Sequence, residues 1–581
     1  MKFLRNLLAV LAGLFIFSGF LLILFFAIVS AITSEEAVEL EKNTVLHLKL
    51  TKPIRERETK DPFANFFPGV TNSMGLIELR EALAHAKDDD NIVGILLEAP
   101  WLAGGFATGE EVRKALINFK DSGKFIIAYS DIMTEGGYYL SSVADEVYLN
   151  PTGEIEFNGL NAELVFFKGS LEKLGIEPQI FRVGKYKSAI EPFTREDMSP
   201  ESEEQLGEFV NGIYDNMLKE ISESRGISKD DLEEISDKYL VRNSKDAREK
   251  KLITDLKYYD EVLDILKEKI GLEDDEEVEL VSYSKYRKSY SKINTSKNRI
   301  AVIVASGEIV WGKGGKNMIG STVFAKEIRK AADSKNIKAI VLRVNSPGGN
   351  YLASDIIWRE IQEAKKIKPV IASMSDYAAS GGYYIAMGCD TIVAQHNTIT
   401  GSIGIFRIFF NMGPFMKDKL GITTDSYGTG EFSDLYTSSR NVTEFEREII
   451  QKGVDEGYLD FTTKAAEARN MELEELQEIA SGRVWTGDQA IDNGLVDVIG
   501  GLDDAIKIAA EKAGVIDDYK IRVYPIQKDF WQELAEELSG DVKSRILQDE
   551  TGDLFTYFEL LNKIKYWEGL QTRLPFEIRF K

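Results

Sequence analysis

Gly136-Gly-Tyr-Tyr139 returns 245 residues later as Gly381-Gly-Tyr-Tyr384. The same spacing relates Asn91-Ile92 to Asn336-Ile337, Ser130-Asp131 to Ser375-Asp376, Asp145 to Asp390 and Gly159 to Gly404, with no gap needed between residues 91 and 159. A period this long marks a duplicated whole domain, since solenoid repeats run to about 20–50 residues. Each copy alternates short apolar runs with helix-patterned segments, which predicts an α/β unit. In the first copy Thr44–Leu50, Ile92–Leu97 and Phe125–Tyr129 read as strands, and Ile77–Ala86 and Gly109–Phe119 as helices. The expected division is a first copy over 44–270, a charged linker over 271–298, a second copy over 299–523 and a tail over 524–581 whose role the sequence leaves open.

The chemistry-bearing stretch lies in the second copy. Pro369 to Met374 is a buried-strand pattern, Ser380-Gly381-Gly382 breaks it, and Tyr383 to Cys389 reads as a helix. Strand, tight turn with serine, then helix is the geometry of a nucleophile elbow. Small neighbours let a carbonyl approach the hydroxyl, and a helix opening at Gly381 aims free N–H groups at a developing oxyanion. Ile340 to Val344 is a second buried strand ending in Asn345-Ser-Pro-Gly-Gly349, a turn able to offer another N–H. Thr400-Gly-Ser-Ile-Gly404 places the hydroxyl of Ser402 on a third small-residue turn. The first copy lacks these groups. Glu135 stands where the second has Ser380, Phe157 where it has Ser402, and Trp101-Leu-Ala-Gly104 where it has Ser346-Pro-Gly-Gly349. Its own site is expected to be dead for acyl transfer.

A serine nucleophile needs a base. His396 follows Ser380 by 16 residues, but its repeat partner is Pro151 and the sequence suggests no His–Asp pairing for it. Lysine is the other choice. Lowering its pKa from about 10.4 to about 7–8 costs the charged form roughly 3–5 kcal/mol, a shift that burial in an apolar cleft supplies. The residue pattern alone leaves that lysine open among many.

SPGG, ASGGYY and TGSIG in this order, with Gly482-Arg-Val-Trp-Thr-Gly487 and Gly494-Leu-Val-Asp497 downstream, resemble the protease IV family of signal peptide peptidases (SppA, peptidase family S49) in its double-length form. The resemblance covers most of the chain. It implies a tandem duplication of a crotonase/ClpP-like domain behind one transmembrane helix, and a serine endopeptidase with a Ser–Lys dyad. The matching positions would make Ser380 the nucleophile, Lys187 the general base within Tyr186-Lys-Ser-Ala189, and Ser402 the hydroxyl that orients the lysine. Lys185 is the fallback base. The N–H groups of Gly349 and Gly381 would form the oxyanion hole. Lysine and serine would then come from different copies; if Gly184 aligns with Gly430, Ser433 falls opposite Lys187. The resemblance further implies a homotetramer, cleaved signal peptides and other apolar peptides as substrates, and no cofactor.

Residues 7–32 carry no charge and, at about 1.5 Å per residue, reach about 39 Å as a helix, enough to span a bilayer. Lys2 and Arg5 precede this run and Glu35 and Glu36 follow it. The charge bias predicts that residues 1–6 are cytoplasmic and the catalytic copies lie outside the inner membrane. Val29-Ser-Ala31 would serve as a signal-peptide cleavage site, yet the run far exceeds the usual 7–15 apolar residues of such peptides. A net charge of −24 excludes broad binding to nucleic acid, which needs basic surface. Three histidines and one cysteine are poor material for a zinc site, and nothing reads as a phosphate-binding P-loop. Two other function classes fit an α/β chain with this serine turn: an acyl-CoA enzyme of the crotonase fold, against which the anchor, the external location and an unexplained Lys187 argue, and a non-catalytic membrane scaffold. Turnover of an apolar peptide against an acyl-CoA separates them.

Overall fold

The computed structural model describes residues 5–6, 13–20, 39–59, 72–273, 275–290, 294–315, 317–526, 569–574 and 579–580. Most of the expected span over 7–32 and most of the tail over 524–581 lie outside these residues. Among the described residues no helix is long and apolar enough to cross a membrane.

The chain forms a mixed α/β structure with one parallel sheet and one largely parallel sheet. In the first copy the strands run in the order Leu280–Ser282, Thr44–Lys49, Ile92–Glu98, Phe125–Met133, Glu146–Ile155 and Asp255–Leu256, all parallel. These strands are near-continuous apolar runs because helices cover both faces. Leu76–Asp88 turns Leu76, Leu79, Ala82, Leu83 and Ala86 to one face. Spacings of three and four put those side chains on one stripe, and each buried leucine contributes roughly 1.5–3 kcal/mol. Val262 and Leu266 of helix Tyr259–Ile270 cover the opposite face.

The second copy repeats this plan. Its sheet runs Val484–Thr486, Ile399–Gly401, Val370–Ala379, Ile337–Ser346, Arg299–Ser306 and Lys520–Tyr524, with Val484–Thr486 antiparallel to its neighbour and with Thr391–Ala394 and Val498–Ile499 branching from Val370–Ala379. Helices Ser321–Asp333 and Tyr351–Lys365 line one face and Leu502–Lys512 the other. The two copies follow the 245-residue repeat except along one strand. Asp145 accepts from Ile126 N, while Asp390 accepts from Val370 N, so these strand positions stand 244 rather than 245 apart. Ile95 and Ile340, which pair with Ile126 and Val370, keep the 245 spacing, so the strand is shifted by one residue with compensating one-residue changes before and after it, and the gap-free alignment is corrected there.

The stretch expected as a linker over 271–298 contains structure of its own. Leu280–Ser282 pairs in parallel with Thr44–Lys49 and Tyr283–Ser289 is helical, with Tyr286 fully buried against the first core. Apolar Leu280, Val281 and Tyr286 supply that docking despite the charged neighbours.

A third sheet joins the copies. Its order is Met318–Gly320, Glu308–Val310, Gly348–Asn350, Gln571–Arg573, Phe406–Asn411 and Glu177–Arg182. Glu177–Arg182 of the first copy lies antiparallel to Phe406–Asn411 of the second over six residue pairs. That ladder carries the segment after Arg182 into the second copy.

Candidate active site

Strand Val370–Ala379 delivers Ser380, and helix Gly381–Ala386 starts immediately after it. Ser380 sits at φ +55°, ψ −110°, a backbone conformation that costs a non-glycine residue about 1–3 kcal/mol. Neighbours hold it there: Ser380 N donates to Gly401 O at 2.8 Å and Tyr384 N donates to Ser380 O at 2.8 Å. The side chain is wholly buried.

Lys187 of the first copy enters this turn. Its Nζ lies 2.8 Å from Ser380 Oγ, 2.9 Å from Ser402 Oγ and 3.0 Å from Ser402 O. The side chain is fully buried, and burial alone holds its pKa well below the usual lysine range. Three neutral oxygens satisfy the amine, and no counter-charge meets it among the described residues, so nothing offsets the cost of burying the charged form. Two glycines make room for it. A Cβ on Gly482 would stand 2.8 Å from Lys187 Cβ, and one on Gly404 would stand 3.2 Å from Lys187 Cδ. The segment is pinned by Tyr186 N donating to Ser481 O, and by Gln205 Nε2 donating to Tyr186 O and Ser188 Oγ.

The glycine turns converge on the same point. A Cβ on Gly381 would come within 3.1 Å of Gly349 N, so the two backbone N–H groups are neighbours. Gly348 and Gly349 adopt φ +101° and +154°, which glycine tolerates and other residues rarely do. The arrangement offers a hydroxyl, an amine able to be neutral and adjacent N–H donors. That set supports nucleophilic attack on a carbonyl.

A model of peptidase family S49 matches residues 118–273 and again 362–516. The chain belongs to peptidase family S49. Each matched segment falls in one of the two copies. Among relatives of this S49 peptidase, it is 37% identical to "Serine protease SPPA, chloroplastic" of Arabidopsis thaliana, over 87% of this chain and 74% of the relative. It is 33% identical to "Protease 4" of Haemophilus influenzae, over 88% of this chain and 86% of the relative. Among solved structures, a membrane-bound stomatin-specific protease aligns over 40% of this chain at a TM-score of 0.27 and 17% identity. A ClpP1 variant from Listeria monocytogenes aligns over 36% of it at a TM-score of 0.24. Scores this low do not define the fold.

The other candidates lie elsewhere in the S49 peptidase. His396 Nδ1 pairs with Asp488 Oδ1 at 2.5 Å, and its backbone N–H donates to Glu110. The sequence suggests no such pairing because the partner is 92 residues further on, beyond the reach of a local pattern. Lys185 is exposed, with Nζ 4.7 Å from the centre of the Tyr186 ring. Ser433 is exposed and bonds to Gly430 O. In the first copy, Glu135 is buried and its Oε2 accepts from Asn158 N and Gly159 N at 2.9 and 2.7 Å. The carboxylate thus plugs the turn that in the second copy holds a nucleophile. Among the described residues no cluster of His, Cys, Asp and Glu could hold a metal ion.

Two contributors escaped sequence reading. Gly404 and Gly482 carried no role until Lys187 was seen against them. Gln571–Arg573, in the tail, pairs with the strand carrying Gly349; no local pattern forecasts a pairing across more than 200 residues.

Proposed function

We propose that this S49 peptidase is a membrane-anchored serine endopeptidase in which Ser380 and Lys187 form the catalytic dyad. The observation that carries the reading is the buried Lys187 amine 2.8 Å from Ser380 Oγ, with no charged partner among the described residues. Neutral Lys187 takes the Ser380 proton as Oγ bonds to the peptide carbonyl carbon. The oxyanion is held by Gly349 N–H and Gly381 N–H. Collapse breaks the C–N bond, and Lys187 returns the proton to the departing amine. Water, deprotonated by the same lysine, then releases the acyl group as a carboxylic acid and restores Ser380. Ser402 donates nothing to the bonds that change; its two oxygens fix where the amine points.

Apolar peptides, including cleaved signal peptides, are the proposed substrates, and the uncharged run over 7–32 is the proposed anchor with the two copies outside the inner membrane. Within that run Leu14, Phe15, Ile16, Phe17 and Phe20 stand exposed, as a lipid-facing surface requires. A homotetramer is the proposed assembly. A fluorophosphonate probe followed by peptide mapping tests the dyad. The expected result is one label, on Ser380, lost in Lys187→Ala. Labelling that survives this substitution, or that maps elsewhere, removes the assignment.

A further inference from the structure

Strand Gln571–Arg573 lies between the strand of Gly349 on one side and Phe406–Asn411 on the other, antiparallel to both. Without it, these two would face each other across the width of one strand with unpaired N–H and C=O groups, a template for an added peptide. The register is informative. Tyr351 N donates to Leu570 O and Leu574 N donates to Pro347 O, at 3.0 and 2.7 Å. Hydrogen-bonded pairs recur every second residue in an antiparallel ladder, so Gly349 and Thr572, opposite each other, form such a pair. Gly349 N–H therefore points at the Thr572 carbonyl. A Cβ on Gly348 would stand 2.1 Å from that carbonyl oxygen and 2.8 Å from Gly381 N. The oxygen and the second N–H share the space that Gly348 leaves empty.

Side chains on this strand meet a built groove. Leu574 packs into the first core beside Ala379, Ile399 and Val484. A Cβ on Gly457 would come within 3.3 Å of Leu570 Cδ1, so that leucine lies against the second core. Arg573 stands opposite Gly348 and, with no side chain there to block it, reaches Glu308 on the next strand: Nη2 to Oε2 is 2.6 Å, with both side chains about nine-tenths buried.

We propose that Gln571–Arg573 marks the path of a bound peptide, that the carbonyl of residue 572 occupies the place of the carbonyl under attack, and that Glu308 selects a basic side chain at the residue following it. The chain's own strand then competes with substrate. The inference rests on the Ser380–Lys187 reading and adds to it the direction of the peptide and a specificity-determining residue. Apolar side chains two before and two after the attacked carbonyl complete the preferred sequence.

The test uses the full chain as wild type, E308Q and T572P, with two peptides that copy Leu-Gln-Thr-Arg-Leu or replace its arginine by leucine. Proline at 572 removes the N–H that pairs with Gly349 and releases the strand. The expected results are a preference of about tenfold in kcat/KM for the arginine peptide in wild type, its loss in E308Q, and a several-fold lower KM in T572P. Cleavage should map to the Thr–Arg bond. Equal handling of both peptides by wild type, or an unchanged KM in a folded T572P, overturns the groove assignment while a labelled Ser380 leaves the dyad standing. Failure of every chain to cut either peptide, with no probe on Ser380, overturns the dyad itself.

Discussion

The Lys187 amine is buried among neutral oxygens, and every consequence of the proposed dyad follows from that cost. Activity should rise with pH as the amine loses its proton, with a midpoint below the usual lysine value of about 10.4. Ser380→Ala and Lys187→Ala should each lower kcat/KM by at least about 100-fold, and the double substitution should add little, because groups acting as a unit are not additive. Lys187→Arg should fail as fully, since a guanidinium stays protonated; steady-state kinetics of the four variants checks this. The same burial has a thermodynamic sign. The folded pKa is depressed, so between the folded and unfolded values the unfolded chain binds the proton that the folded chain gives up. Stability therefore rises with pH between the folded value and about 10.4. Lys187→Met, close in volume and without charge, should melt higher than wild type at pH 7, and the gap should narrow toward pH 10. Melting curves across that range that show no narrowing would remove burial as the cause.

At the scale of elements, the site is a meeting of turns, and glycines decide whether they fit. Gly482 has φ +80°, and a Cβ there would press on Lys187 Cβ and N from 2.8 Å. Gly482→Ala should therefore displace the lysine. The expected outcome is at least a tenfold loss of kcat with a stability cost of about 1–3 kcal/mol, the usual range for overpacking; denaturant unfolding alongside kinetics separates the two. The first copy shows the same turn used otherwise. Glu135 begins helix Glu135–Ser141, Thr134 caps it, and the carboxylate ties down Asn158 and Gly159. One elbow geometry thus holds either a nucleophile or a structural carboxylate.

The whole molecule depends on the contact between copies. Arg343 is fully buried in the second copy and pairs with Glu56 and Glu111 of the first, each at 2.8 Å. Asp376 accepts from Thr108 N and Thr108 Oγ1, holding the start of helix Phe106–Lys120 from across the interface. Arg343→Met would leave Glu56 buried without its cation and Glu111 with Arg80 alone, and should cost about 3–5 kcal/mol. Thermal unfolding reads this, and a shift no larger than a surface substitution gives would show the triad to be solvated. The anchor is tested at the same scale: protease added outside the inner membrane should release the two copies while residues 1–6 stay protected, whereas a mature chain starting at Ile32 would replace the anchor by a cleaved leader.

The sequence by itself determined the duplication, because repeated Gly-Gly-Tyr-Tyr and aspartate positions survive as letters. It determined the α/β alternation, because buried parallel strands must be apolar throughout. It also marked Ser380, since a small-residue turn between strand and helix is a local pattern. Tertiary structure alone decided the remainder. Lys187 is one lysine among many until the antiparallel pairing of Glu177–Arg182 with Phe406–Asn411 carries it 193 residues along the chain to Ser380. Leu280–Ser282 looked like linker because its charged flanks hide a three-residue edge strand. Asp488 found His396, and Gln571–Arg573 found Gly349, by pairings that span most of a domain. Such contacts leave no periodicity to read: they join segments far apart along the chain, and their stabilisation comes from surfaces that exist only once those segments have folded together.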